Sequence, residues 1–184
     1  MSHEEGRAAS VLVVDDEERA ADTYASVLSA EYDAHTAYSG EAALTRLAEA
    51  DFDVVLLDRR MPELTGDDVL AEMQRRAIDC RVAMVTAVNP DFDILELGID
   101  DYIVKPVGKA GLRETVEHLL KLETYDERQR ELSSLKVKRN VLELEKPDAA
   151  LAESAEFADL QEQIAKLEAE LADMADELDV PERA

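Results

Sequence analysis

The sequence predicts an α/β fold: a five-stranded parallel, doubly wound sheet, followed by an α-helical hairpin or coiled-coil extension. Three observations predict it. Short apolar runs alternate with amphipathic helical patterns as far as about residue 122. All six glycines lie at or before Gly111, so turn chemistry stops there. Beyond that point a 3-4-3-4 apolar stripe takes over.

Each element follows in order. VLVV (11–14) reads as a buried strand, and DEERAADTYASVLSA behind it as a helix. YDAHTAY alternates weakly as a second strand, and GEAALTRLAEA (40–50) is amphipathic. VVLL (54–57) is a third strand, followed by the helix GDDVLAEMQRRA (66–77). RVAMVT (81–86) is the fourth, with a short helix inside PDFDILELG. YIV (102–104) is the fifth, and a helix starts at about Lys109. Strands that alternate with helices pair in parallel through right-handed crossovers, and sites then form beyond the carboxyl ends of the strands.

Composition narrows the function. The chain has 184 residues and a formal charge of −24, from 44 acids against 20 bases. A broad nucleic-acid-binding surface would be basic, so that class is disfavoured. Arginine outnumbers lysine, 13 to 7, and residues 1–122 alone hold 26 acids against 12 bases. That profile suits molar salt, where the Debye length falls to about 3 Å and self-repulsion is muted. The start, MSHEEGRAAS, is polar and reads as a flexible tail over residues 1–9. There is no run of apolar residues long enough to span a membrane, and the single Cys80 cannot form an internal disulfide, so a cytoplasmic setting is expected.

The candidate site lies at the strand ends. VVLLD puts Asp58 directly after four apolar residues, and VLVVDDEE does the same for Asp15 and Asp16. Side by side, three carboxylates repel one another, and a hard divalent cation such as Mg²⁺ relieves the repulsion. An isolated DD is commonly a helix cap, and Asp15 or Asp16 is expected to cap the helix that follows. The fourth strand ends on Thr86, a hydroxyl that could donate to an anionic oxygen. The fifth ends on Lys105, followed by Pro106, and supplies the positive charge a phosphoryl group needs.

On VLVVDDE, VVLLDRRMPELTG, VTA and DDYIVKP the chain resembles the CheY-like receiver domain of two-component response regulators over about residues 10–122. The resemblance implies that Asp58 is the phosphoacceptor, taking a phosphoryl group from a sensor histidine kinase. It implies Mg²⁺ on Asp16 directly, on Asp15 through water, on Asp58 and on the backbone carbonyl of Arg60. Thr86 and Lys105 would hold the phosphoryl oxygens, Tyr102 would be the aromatic switch partner of Thr86, and the Lys105–Pro106 peptide would be cis. Met61, Pro62 and Gly66 would shape the loop after the acceptor. One departure stands out. Only 12 steps separate Thr86 from Gly98, about three fewer than usual, so the fourth helix is expected to be stubby or its preceding loop tight, and the usual dimer mode is not expected to carry over unchanged.

The extension divides by charge. Residues 123–147 hold six acids and six bases, including KVKR (136–139), whereas residues 148–184 hold twelve acids and two bases. The stripe comprises Phe157, Leu160, Ile164, Leu167, Leu171, Met174 and Leu178. With Lys146-Pro147-Asp148 as a turn, an antiparallel hairpin matches these charges better than a parallel dimer, although a homodimeric coiled coil remains open. YDERQRELSSLKVKRNVLE and ESAEFADLQEQIAKLEAEL resemble the HalX domain appended to haloarchaeal receivers, here over about residues 123–180. The expected function is a phosphorylatable switch acting through a helical interaction module on an unnamed downstream protein. A DNA-binding transcriptional regulator is the alternative, for which KVKR is the sole basic cluster. A Mg²⁺-dependent phosphatase using DFD at 51–53 or 91–93 is disfavoured, because both copies precede apolar runs instead of closing strands.

Overall fold

The computed structural model describes residues 7–178. The expected tail over residues 1–9 thus lies mostly outside the described residues. Five strands, β1 (Ser10–Val14), β2 (Asp33–Ala37), β3 (Val54–Leu57), β4 (Arg81–Thr86) and β5 (Asp101–Val104), form one parallel sheet in the order β2-β1-β3-β4-β5. Helices α1 (Glu18–Leu28), α2 (Gly40–Glu49) and α3 (Gly66–Arg75) connect the first four strands, and a 3-10 turn, η1 (Phe92–Glu96), lies between β4 and β5.

The sheet is apolar on both faces because crossover helices cover both. Leu12, Val14, Val55, Leu57, Val82 and Met84 pack with Ala43 and Leu47 of α2 and with Val69, Leu70 and Met73 of α3. Alternate residues, Val11, Val13, Val54, Leu56, Ala83 and Val85, point to the opposite face by strand geometry and are equally buried. Strand order reverses between β1 and β3, so the ends of these two strands open the crevice where such folds place their sites.

Helix starts show how locally the chain is written. Thr65 caps α3 with a reciprocal capping box, its hydroxyl taking the Asp68 N–H while Asp68 accepts from the Thr65 N–H. Ser39 caps α2 through the Ala42 N–H. At α1 the expected aspartate cap is corrected. The N-cap is Glu17, which makes no side-chain cap bond, and Asp15 instead accepts the Glu17 N–H at 3.0 Å. Asp15 is thereby held toward the rim and not over the helix end. The expected short helix between β4 and β5 is η1, and none of its residues is buried.

The last helix of the first unit, α4 (Lys109–Glu145), is one continuous element in which the chain divides, between Leu120 and Lys121, into two compact units. In the first unit it buries Leu112, Val116 and Leu119. The second unit is a helical hairpin. After Glu145 come α5 (Asp148–Glu153), with Pro147 at its N-cap, and α6 (Ala155–Leu178). Its core joins Tyr125 and Leu132 of α4 to Ile164, Leu167, Leu171, Ala175 and Leu178 of α6, with Leu160 and Met174 at the margin. Lys121 pairs with Glu177 at 3.4 Å and Lys136 with Glu168 at 2.7 Å. Rising numbers on α4 thus meet falling numbers on α6, and the hairpin is antiparallel within one chain. The proline turn expected at 146–148 is present as the start of a short extra helix.

A carboxylate cluster at the strand ends

The residues singled out at the strand ends come together in an open cleft of about 490 Å³. Asp15, Asp16, Asp58, Arg60, Thr86 and Lys105 line it, together with the loop Ala87–Asn89. Asp58 and Asp15 are buried, 8% and 2% exposed, whereas Asp16 is exposed. Each of the three carboxylates offers an oxygen within 4.8 Å of the others. An oxygen-only donor set with one lysine against three acids fits a hard divalent cation.

Backbone contacts fix Asp58. Its N–H donates to the Val14 carbonyl at 2.9 Å, which ties the end of β3 to the end of β1. The Arg60 N–H points at Asp58 Oδ1 from 3.5 Å. Behind it, Gly66 N–H donates to the Arg59 carbonyl at 2.9 Å, and a Cβ on Gly66 would stand 2.4 Å from the Asp58 carbonyl oxygen. Only glycine allows the start of α3 to approach the acceptor loop so closely.

Lys105 reaches across from the edge strand. Its Nζ donates to Asp15 Oδ2 at 2.5 Å and lies 3.7 Å from Asp58 Oδ2. The Lys105–Pro106 peptide is cis. Burial opposes the ammonium charge, yet the hydrogen bond to Asp15 and the charges of Asp58 and Asp15 outweigh it and raise the lysine pKa. Burial pushes the Asp58 carboxyl above the usual carboxylate range, against the lowering pull of the Thr86 hydroxyl and Lys105. Thr86 is fully buried, and its hydroxyl also accepts the Val88 N–H at 3.3 Å. Tyr102 is half-buried, with its hydroxyl donating to the Val88 carbonyl at 2.9 Å.

The other candidates lie elsewhere. His35 faces Asp33 at 3.2 Å and stacks edge-on against Phe52. Cys80 packs beside the core. Neither DFD segment enters the cleft. Asp53 accepts the Ser10 N–H at 2.6 Å, Asp91 starts η1, and Asp93 pairs with Arg59. That last pair was not legible in the sequence, because 34 residues separate its members.

Comparison with known proteins agrees with this geometry. Residues 11–117 match the response regulator receiver domain, and residues 121–183 match the HalX domain. The chain belongs to the response regulators, the receiving components of two-component signalling. It is a receiver joined to a HalX domain, and a receiver implies a sensor kinase as its partner. A Haloferax volcanii protein with the provisional name transcriptional regulator is 51% identical over 146 residues, covering 76% of this chain and 25% of its own length. The transcriptional regulatory protein CutR of Streptomyces coelicolor is 44% identical over 113 residues, or 59% of this chain and 52% of CutR. The chain therefore spans about half or less of these relatives. Among solved structures, the Thermotoga maritima response regulator TrrA in complex with Mg(2+)-BeF superposes with a TM-score of 0.55 at 31% identity. It covers 61% of this chain and 99% of its own. The receiver domain of Francisella response regulator 1452 gives 0.59 at 28%, covering 62% and 98%.

Proposed function

We propose that Asp58 is the phosphoacceptor of this response regulator and that a sensor histidine kinase supplies the phosphoryl group. One observation carries the reading: a buried carboxylate at the end of a central strand faces two further carboxylates and a lysine across a cleft open to solvent. An Asp58 oxygen attacks the phosphorus of a phosphohistidine, an O–P bond forms, and the N–P bond breaks with its electron pair returning to the imidazole. Asp15, Asp16, Asp58 and the Arg60 backbone carbonyl are the residues that would hold Mg²⁺. When bound, the ion offsets the charge of the cluster and of the transferring oxygens. Lys105, drawn toward Asp58 and Asp15, would take a phosphoryl oxygen, and the Thr86 hydroxyl another. Tyr102, tied to the loop after Thr86, would follow that loop when Thr86 moves. The protein acts as a switch, with its own groups assisting the transfer it undergoes.

Incubation with acetyl phosphate and Mg²⁺ tests this. We expect one phosphoryl group per chain, none in Asp58→Asn, and none with chelator. Labelling that survives either condition overturns the assignment.

The helical hairpin is read as an interaction module for a downstream protein. The relatives' names favour transcriptional output as the second reading. Of the KVKR cluster, Lys136 is engaged with Glu168, and Arg139 leans toward Glu143. DNA binding by the phosphorylated full-length protein in molar KCl separates the two, since phosphate contacts weaken steeply with salt. Sequence-dependent retention that requires Lys136, Lys138 and Arg139 would decide for the second.

A further inference from the structure

We propose that Arg59 is a positioning residue, a latch that holds the loop between β4 and β5 in its resting place and so sets how readily the acceptor site is occupied. This rests on Asp58 being the acceptor. The starting observation is that η1 is held down by little apolar contact: Ile94 is half-buried, and only the cap residue Leu97 borders the core. None of its residues is buried, and Phe92 and Leu95 are 85% and 79% exposed. A single 3-10 turn does not persist on its own hydrogen bonds.

Arg59 adds a polar anchor. Its Nε and Nη2 each donate to Asp67 at the start of α3, both at 3.0 Å, a forked pairing that fixes the plane of the guanidinium. From that fixed position Nη2 also donates to Asp93 of η1. The Arg59 side chain is only 13% exposed, so the charge is held away from water between its two acids. The loop is thus tied at its middle by Asp93 and near its start by Tyr102 on Val88. Val88 and Asn89, at and just after the tie to Tyr102, line the acceptor cleft.

The consequence is mechanical coupling. A group on Asp58 that draws Thr86 forward must carry the following loop with it, and that loop is fastened to the residue directly after Asp58. Releasing the Asp93 end lowers the resistance, and a two-state loop then shifts toward the occupied form at lower ligand concentration. Asp93 is 54% exposed, so salt weakens this end of the latch more than the forked end.

The test uses the full-length protein, with Asp93→Asn and Arg59→Gln as variants. Hydrogen exchange without phosphodonor comes first. Peptides over residues 90–98 should exchange about five- to tenfold faster in both variants, as expected for loss of a tether of ordinary strength. Titration with beryllium fluoride and Mg²⁺ follows, and both variants should reach half-saturation at about three- to tenfold lower fluoride complex concentration. Unchanged exchange in Asp93→Asn overturns the latch. Faster exchange with unchanged half-saturation overturns its coupling to the acceptor. If wild type takes no beryllium fluoride, or Asp58→Asn still does, the acceptor reading fails, while the exchange measurement still judges the latch by itself.

Discussion

Asp58 is held in a place where its charge is unwelcome. Burial raises its pKa, so the folded chain binds its proton more tightly than the unfolded chain does. The sign follows: ionised Asp58 lowers stability at neutral pH, and the penalty disappears on acidification below the ordinary carboxylate value of about 3.9. In metal-free buffer at pH 7, Asp58→Asn should therefore raise the melting temperature of the receiver by about 4 °C, equivalent to about 1 kcal/mol. The gain should fade as pH falls toward about 4. Adding Mg²⁺ should stabilise wild type more than the variant, and scanning calorimetry with and without chelator checks both. Asp15, Asp16, Asp58, Thr86 and Lys105 were legible because each follows an apolar run, so the end of a strand could be read directly. Arg59 carried no local signal of its role. Its partners Asp67 and Asp93 come from separate elements, and no local pattern links them.

Boundaries of elements were legible where punctuation is chemical. β3 and β4 were read at their observed bounds, β3 because Asp53 and Asp58 close it and β4 because its apolar run begins after Arg81 and stops at Thr86. The end of α3 was read two residues late, because it stops without glycine. There Ala77 takes the left-handed conformation, φ 52°, with its N–H on the Gln74 carbonyl and the Ile78 N–H on the Met73 carbonyl. These two bonds make a Schellman close, and Ile78 packs beside the core as the motif requires. Alanine bears a steric cost in that conformation that glycine does not. Ala77→Gly should accordingly stabilise the receiver by about 0.5–1 kcal/mol, read as a higher urea midpoint with unchanged slope. The start of α1 was misread for a different reason. A carboxylate beside a helix start can serve the helix or the site, and Asp15 is drawn to Lys105.

At the scale of the whole chain, charge and the two cores dominate. With 44 acids against 20 bases, stability should rise from dilute buffer to molar KCl as repulsion is screened. A melting temperature that is flat or falling over that range would contradict this. Each unit has its own apolar cluster, so damage to one should stay there. Leu167, 6% exposed at the centre of the hairpin core, is the sharpest probe. Leu167→Glu buries an unpaired charge and removes packing, at a cost of about 3 kcal/mol or more. Helical circular dichroism should drop, while labelling of Asp58 by acetyl phosphate stays at the wild-type level. The 3-4 spacing made the hairpin stripe legible, but its partners on α4 were not, since Tyr125 and Leu132 stand in a segment with no comparable repeat.

The sheet order carries a consequence for how the protein is made. Asp15 leaves the ribosome early and Lys105 late, 90 residues apart, and they meet only when β5 has taken its place at the sheet edge beside β4. Until then the three carboxylates have no lysine, and Thr86 stands on an edge strand paired with β3 alone. On the proposed reading of Asp58 as acceptor, a receiver not yet closed by β5 lacks a complete acceptor site. Phosphoryl transfer to Asp58, on that reading, requires a receiver folded through β5, whether or not the helical hairpin has yet formed.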